Sequence, residues 1–108
     1  MSDTPNLDFA RLAEQCFAQL LAVLDSFDPD ELEADVSGGV LRINFPDGRN
    51  CILNRQSAAN QIWMAQGATA WHFVMGPSGR WEDTKGRGSL HGILGEVLSG
   101  RLGRPVRF

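Results

Sequence analysis

The sequence predicts an α+β fold, a two-layer α/β sandwich in which an antiparallel sheet of about six strands carries an N-terminal and a C-terminal helix on one face. Both ends of the chain have apolar residues at three- and four-residue steps, which is typical of amphipathic helices. The middle has short runs of alternating apolar and polar residues between Gly- and Pro-containing turns, which indicates an antiparallel meander with one buried face. Because the 108 residues are 43% apolar and contain no visible linker or repeat, we expect a single domain over 1–108.

The first element is a helix, predicted roughly over 5–27. Its broad apolar stripe consists of Phe9, Leu12, Ala13, Cys16, Leu20, Val23, Leu24 and Phe27. Thr4 and Pro5 favour a start there, because a capping hydroxyl precedes a proline at the first helical position. Pro29 disfavours continuation past Asp28, since the residue before a proline avoids the helical region.

The apolar pattern then changes to a period of two residues. The segment 32–36 alternates apolar residues with two acids, and a Ser-Gly-Gly turn separates it from a second alternating segment, 41–45. Further short runs occur at CILNRQ, QIWMA, WHFVM and GRWED. These runs are the predicted strands of the meander.

A second helix is predicted between Ser89, which is a suitable cap, and Gly103, which together with Pro105 ends it. Its apolar stripe consists of Leu90, Ile93, Leu94, Val97, Leu98 and Leu102. Glycines inside it weaken it by roughly 0.8–1 kcal/mol each relative to alanine. The helix therefore depends on tertiary packing.

Charge is distributed unevenly along the chain. Residues 1–41 contain nine acids and one arginine, a net charge of −8, whereas residues 42–108 have a net charge of +5. An acidic half argues against nucleic acid as the main partner and favours cations or a basic protein surface.

The two cysteines, Cys16 and Cys51, have neither the CxxC spacing nor a neighbouring histidine pattern typical of zinc. We expect reduced thiols that pack as small apolar side chains, with a disulfide between them as the alternative. Neither a signal peptide nor an apolar stretch of membrane-spanning length is apparent. The expected location is therefore the cytoplasm, with no membrane association.

Patterns that indicate an enzyme are scarce. The chain has two histidines, no tyrosine, and no GxSxG, HExxH or Walker motif. The acidic run DSFDPDELEAD lacks the alternating aspartates and central glycine of an EF-hand loop. A non-enzymatic function is expected.

That acidic run, residues 25–35, nevertheless has the chemistry of a cation site. Asp25 and Asp28 are predicted one helical turn apart, and Glu33 and Asp35 are predicted to share the solvent-exposed face of a strand. An open set of carboxylate oxygens suits hard cations that are held weakly and keep much of their water. The alternative is a solvated helix end and an edge strand whose charge prevents pairing with other chains.

The segment NRQSAANQIWMA contains a second candidate surface. If Ile62 and Met64 point into the core, Trp63 points outward, in the same direction as Asn54 and Gln56. A tryptophan among amides on a wet sheet face is typical of an interface, since tryptophan is enriched at binding hot spots. The alternative is a register shifted by one residue, which buries Trp63.

With these features in place, the chain resembles the frataxin family, and its bacterial branch in particular. The resemblance rests on the carboxylate-rich end of helix 1 and strand 1, the GGVLRI hairpin and the pattern N-R-Q-x4-Q-I-W-M-A, and it covers nearly the whole chain. It implies an α+β sandwich that binds ferrous and ferric iron (Fe2+/Fe3+) weakly on its acidic residues. It also implies association with the cysteine desulfurase and the scaffold protein of iron–sulfur cluster assembly, whose rate the protein modulates.

Carried over by position, the resemblance assigns two sets of residues. The iron-binding set is Glu14, Asp25, Asp28, Asp30, Glu31, Glu33 and Asp35. The partner-binding set is Asn54, Gln56, Trp63 and His72. Leu21, Ala22 and Ser26 stand where the family usually has further acids, which reduces the expected number and tightness of iron sites.

The resulting prediction is a monomeric, non-enzymatic, iron-binding regulator of iron–sulfur cluster assembly. One alternative is an interaction module that docks a basic partner through its acids and binds metal only incidentally. A ferroxidase is a third hypothesis, which requires a site that holds and oxidises iron.

Overall fold

The structure is a computed structural model that describes the chain from Pro5 to Phe108, with side chains from Asp8 onward. Thr4, the predicted cap of the first helix, lies outside the described residues. The elements follow the order helix, six strands, helix: α1 (Pro5–Leu24), β1 (Glu33–Ser37), β2 (Val40–Asn44), β3 (Asn50–Gln56), β4 (Gln61–Gln66), β5 (Thr69–Met75), β6 (Trp81–Asp83) and α2 (Leu90–Leu102).

The six strands form one sheet with the order β1-β2-β3-β4-β5-β6, in which every neighbouring pair is antiparallel. This arrangement is the predicted meander. The first hairpin has a two-residue loop, Gly38-Gly39, with φ values of 60° and 78°, a left-handed conformation that glycine adopts at no steric cost.

The hydrophobic core lies between one face of the sheet and the two helices. The sheet contributes alternate residues, among them Leu41, Leu53, Met64 and Phe73. The helices contribute the residues of the two predicted stripes except Val23, which is exposed, and α1 also buries Phe17, which the predicted stripe lacked. Burying a large apolar side chain contributes about 1.5–3 kcal/mol, so this layer is the main source of stability. The other sheet face remains open to solvent. The predicted fold class is thus confirmed.

Helix α1 ends at Leu24, so the predicted helical end at residue 27 is wrong. The backbone N–H of Phe27 donates to the carbonyl of Leu24 at 3.1 Å, a tighter turn that leaves the α-helix. Asp28 then accepts the N–H of Asp30 at its Oδ1 (2.9 Å), and Pro29 fixes the turn. Phe27 still packs on the core, which explains why it fits the apolar stripe.

Helix α2 has the caps that the sequence predicts. Ser89 accepts the N–H of Gly92 at its Oγ (3.2 Å), and Gly103 adopts a left-handed conformation with φ 72°. Gly95 serves packing, because a Cβ there would lie 2.9 Å from the carbonyl oxygen of Val106, where the C-terminal segment crosses the helix. The glycines that weaken α2 in isolation thus include one that the tertiary structure requires.

Both cysteines are buried in the core, and no disulfide joins them. Burial raises the pKa of each thiol to about 12. The thiols of Cys16 and Cys51 therefore pack as apolar groups, as predicted, and the disulfide alternative is wrong.

Asp83 has a buried side chain that organises the connection between β6 and α2. Its carboxylate accepts hydrogen bonds from the backbone N–H groups of Lys85 (3.2 Å) and Arg87 (3.0 Å) and from the Nε of Arg87 (2.7 Å). Hydrogen bonding from the Arg87 side chain lowers the pKa of Asp83 to about 2. The pattern of the sequence does not indicate this role of Asp83.

We expect Asp83 to make the fold acid-sensitive. Because its pKa in the folded state is below the unfolded value of about 3.9, its contribution is fully present above that value and is lost as the pH falls through about 2. Asp83→Asn should lower the free energy of unfolding at pH 7 by roughly 2 kcal/mol and flatten its pH dependence between about 4 and 2. Urea unfolding at a series of pH values measures both effects. Asp30→Asn, at an exposed carboxylate, is the control, and an Asp83→Asn variant with unchanged acid dependence would contradict the assignment.

Candidate functional site

The acidic residues between α1 and β1 form a surface that we call the acidic ridge: Asp25, Asp28, Asp30, Glu31, Glu33 and Asp35. All are exposed except Glu31, which is partly buried. The ridge follows the edge of the sheet, because β1 is the outermost strand and pairs only with β2 in the described chain. Its members come from the turn after α1 and from β1 itself.

The alternation of β1 determines where two of the ridge carboxylates point. Ala34 packs towards the core, so Glu33 and Asp35 lie on the outer face, opposite Asn44 and Arg42 of β2. Asp25, at the end of α1, lines a shallow groove together with Glu33 and Asp35. Carboxylates from the helix end and from the strand therefore meet at one edge of the fold.

Two of the predicted ligands have arginine partners. Glu31 accepts a bidentate pair of hydrogen bonds from Arg104, at 2.8 to 3.2 Å, and the Arg104 guanidinium lies 5.3 Å from the ring centre of Phe27. Glu14 lies 3.9 Å from Arg55. It is also separated from Asp25 by about 16 Å of helix, at 1.5 Å per residue. The structure therefore places Glu14 far from Asp25, in a groove beside Val36 at the other end of β1, and it pairs Glu31 with Arg104.

The other five carboxylates of the ridge are unpaired. Within residues 8–108, no lysine or arginine side-chain nitrogen lies within 4 Å of their carboxylate oxygens. In the same part of the chain, no three side chains among His, Cys, Asp and Glu converge closely enough to hold an ion in a closed site. Such an arrangement fits an open cation surface on which hard oxygen ligands bind weakly and the ion keeps its water.

The outer face of the sheet contains the second candidate surface. We call Asn54, Gln56, Trp63 and His72 the outer-face cluster. Trp63 pairs with Asn54 of β3 on one side and with His72 of β5 on the other, so the three residues lie side by side across three strands. Trp63 and His72 stack, with ring centres 4.2 Å apart and planes within 10° of parallel. The outward register is confirmed, and the register that buries Trp63 is excluded.

Three contacts near these surfaces were not predicted from the sequence. Gln61, which was expected to point outward like Trp63, accepts the indole N–H of Trp63 at 2.7 Å, and the i, i+2 spacing within one strand could have indicated this bond. The ion pairs of Arg55 with Glu14 and of Arg104 with Glu31 have no such local signal. Arg104 is 73 residues away from Glu31 in the sequence.

Comparison with known proteins identifies the family. A family model described as a frataxin-like domain matches residues 2–104. The chain belongs to the frataxin family. Among its bacterial relatives is the iron–sulfur cluster assembly protein CyaY of Thioalkalivibrio sulfidiphilus, which is 36% identical over 105 residues, 95% of this chain and 98% of that protein. The protein of the same name from Paracidovorax citrulli is 32% identical over 108 residues, 100% of this chain and 97% of that protein.

Solved structures of frataxins have the same fold as this family member. Frataxin from Psychromonas ingrahamii superposes with a TM-score of 0.85 at 20% identity, covering 94% of this chain and 95% of that one. Trimeric frataxin from Saccharomyces cerevisiae, complexed with ferrous iron, superposes with a TM-score of 0.75 at 24% identity, covering 86% and 87%. At these identities the likeness concerns the fold alone.

Membership of the frataxin family confirms the resemblance drawn from the ridge, the GGVLRI hairpin and the N-R-Q-x4-Q-I-W-M-A pattern. It also confirms the prediction that the chain is not a classical enzyme, since its relatives are named as assembly proteins. In the described part of the chain, neither helix combines the length and the apolar character that crossing a bilayer requires.

Replacing Trp63 should affect folding only modestly. Because the indole is partly exposed, Trp63→Ala loses mainly the stack on His72, and we expect the free energy of unfolding to fall by about 1 kcal/mol. Trp63→Phe is the control, since it keeps an aromatic ring in the stack. Urea denaturation measures both variants. A loss above about 3 kcal/mol, the cost of truncating a core aromatic, would contradict the outward register.

Proposed function

We propose that this frataxin-family chain is an iron-binding regulator of iron–sulfur cluster assembly. It binds Fe2+ or Fe3+ weakly on the acidic ridge and docks, as a cytoplasmic monomer, on the cysteine desulfurase and its scaffold protein. The observation that carries the proposal is the ridge itself. Asp25, Glu33 and Asp35 line one groove, and no lysine or arginine side-chain nitrogen of the described chain lies within 4 Å of their carboxylate oxygens. The names of the bacterial relatives and the ferrous complex of the yeast protein support it.

Iron binding on this surface follows from ligand chemistry. Iron accepts carboxylate oxygens, and an open ridge offers several of them without a closed cage. The affinity is therefore low, and ions exchange readily with solvent. Five ridge residues carry this role: Asp25, Asp28, Asp30, Glu33 and Asp35. Glu31 contributes less, because Arg104 already neutralises it.

Docking uses the ridge and the outer-face cluster together. Glu33 and Asp35 point to the same side of the sheet as Trp63 and His72, so one partner surface can contact both. The ridge supplies long-range attraction to a basic surface, and the stacked aromatic pair supplies a central apolar contact. The two surfaces thus have different energetic roles in one interface.

A second candidate is an interaction module in which metal binding is incidental. The observation in its favour is that, within the described residues, no three metal-ligating side chains converge. On this alternative the ridge attracts a basic partner equally well with and without iron. Titration with Fe2+ under anaerobic conditions distinguishes the two functions, and oxygen consumption in air tests a ferroxidase.

Neutralising the ridge should stabilise the domain in dilute buffer. In Asp25→Asn/Asp28→Asn/Glu33→Gln/Asp35→Asn, repulsion between the carboxylates is removed, while the amide oxygen introduced at position 28 still accepts the turn hydrogen bond. A gain of roughly 1 kcal/mol corresponds to an increase of about 4–8 °C in Tm. In the wild type, millimolar Fe2+ should also raise Tm, because it binds only the folded ridge.

The control for that melt is Glu82→Gln/Glu96→Gln, which removes charge away from the ridge and should keep the response to Fe2+. Loss of the response in the neutralised variant alone assigns iron to the ridge. A wild type whose Tm does not change with Fe2+ would argue for the interaction module instead.

The same neutralised variant should dock less well on the cysteine desulfurase. Screening acts over about 8 Å at 0.15 M salt, so the wild-type affinity should fall with ionic strength and the variant's should change little. Trp63→Ala should weaken docking at every salt concentration, by about 2 kcal/mol if the indole is a hot spot. Isothermal titration at three salt concentrations separates these effects. If the wild type and the neutralised variant bind the desulfurase with equal affinity at low salt, the ridge is not part of the interface.

A further inference from the structure

Within the described residues, the edge of the sheet at β1 has a set of backbone hydrogen-bonding groups that no neighbouring strand uses. In a hairpin with a two-residue loop, the residues that flank the loop, Ser37 and Val40, exchange both of their backbone hydrogen bonds. Hydrogen-bonded and non-hydrogen-bonded pairs then alternate along the strand. The N–H and C=O groups of Ala34 and Val36 therefore point away from β2, towards the open edge.

A partly apolar groove lies directly beside this edge. It has a volume of about 570 Å³ and runs between α1 and the first hairpin. Phe17, Ala18 and Leu21 line it on the helix side, and Val36 lines it on the strand side. The ion pair of Glu14 and Arg55 also lines it, beside the Gly38-Gly39 loop, so the apolar part of the groove is the part next to Val36. Val36 is 40% exposed, which is unusual for a large apolar side chain in this fold. An added strand would place every second side chain in this groove.

The opposite face of the edge has a different chemistry. Glu33 and Asp35 point outward there and have no ion-pair partner within 4 Å in residues 8–108. An added strand would thus meet apolar side chains on one face and carboxylates on the other. Complementarity requires a strand that alternates apolar and basic residues.

A second copy of this chain does not fit the edge. If two β1 strands pair antiparallel about their centres, Asp35 lies opposite Asp35 of the other copy, and like charges directly opposite destabilise a sheet. In a parallel pair, the same acids lie beside one another. The charges that prevent self-pairing attract a basic strand instead.

We propose that β1 is a strand-addition site, which takes an extended partner segment with alternating basic and apolar residues into the sheet. Main-chain hydrogen bonds to Ala34 and Val36 hold the segment, its apolar residues enter the groove beside α1, and its basic residues contact Glu33 and Asp35. The inference rests on the proposed function, since it states how a basic partner engages the ridge.

The probe is a capped heptapeptide that alternates lysine and valine, titrated into 15N-labelled wild-type protein. The strand adds antiparallel to β1, like every other neighbouring pair of the sheet. Residues whose side chains enter the groove then lie opposite Ala34 and Val36, so the valine N–H groups donate and the lysine N–H groups point away. N-methylation of two valines should therefore reduce affinity about 25-fold, at roughly fivefold for each lost hydrogen bond. N-methylation of two lysines gives a matched control with the same composition and charge, and its affinity should stay within about twofold of the parent peptide.

Amide hydrogen exchange and two double variants of the protein test the same binding mode from the protein side. Binding should slow amide hydrogen exchange at Ala34 and Val36 and leave Asp35, whose N–H already pairs with β2, unchanged. Glu33→Gln/Asp35→Asn should weaken binding severalfold, whereas Glu82→Gln/Glu96→Gln, with the same change in net charge, should not.

The inference is wrong if the two N-methylated peptides bind equally, because plain charge attraction then explains the binding, or if the parent peptide does not bind. Neither result affects the proposed function, which depends on Fe2+ titration and on docking of the desulfurase itself. Conversely, a chain that binds the alternating peptide in the predicted manner but neither iron nor the desulfurase would refute the proposed function and leave the strand-addition site in place.

Discussion

Burial of one sheet face under α1 and α2 is the constraint on which both candidate surfaces depend. Side chains alternate strictly between the two faces of a strand, so Leu41, Leu53 and Met64 can enter the core only if their neighbours point outward. A slip of one residue would bury Glu33 and Asp35 without partners, at a cost of several kcal/mol for each carboxylate. The Gly38-Gly39 loop sets the same register from the turn. The placement of Trp63 and of the ridge is a consequence of core packing.

Ion pairs with basic residues from the second half of the chain determine which acids are left without a partner. Arg104 pairs with Glu31 and lies over Phe27, and Arg101 pairs with Asp47 and lies over Phe45. Arg101 thereby joins the loop between β2 and β3 to the end of α2, and Arg104 joins the turn before β1 to the segment after α2. Neither arginine pairs with an acid of β1 itself. These ion pairs thus balance charge outside β1. Arg42 lies opposite Asp35 but forms no ion pair with it within 4 Å, so repulsion between the β1 acids is only partly offset.

Local patterns in the sequence were sufficient for the strands, for the caps of α2 and for the outward direction of Trp63. Each of these depends on a period of two, a period near 3.6, or a single capping residue. The end of α1 was missed because Phe27 continues the apolar stripe by packing on the core from a turn. The ion pairs Glu31–Arg104 and Glu14–Arg55 were missed for another reason. Both join residues that lie far apart in the sequence, and a periodic pattern contains no information about such contacts.

The acids of β1 have two opposing effects on the protein. Their repulsion lowers the stability of the folded state, and replacing them by amides is the obvious route to a more stable domain. Yet β1 is an edge strand with an exposed Val36 beside an apolar groove, a combination that invites pairing with other copies of the chain. Glu33 and Asp35 oppose that pairing while remaining attractive to any positively charged partner, whether an ion or a basic surface. The repulsion that lowers the stability of the fold thus comes from the same acids that keep the chain soluble and that attract a partner. Replacing these acids would therefore change solubility and binding together.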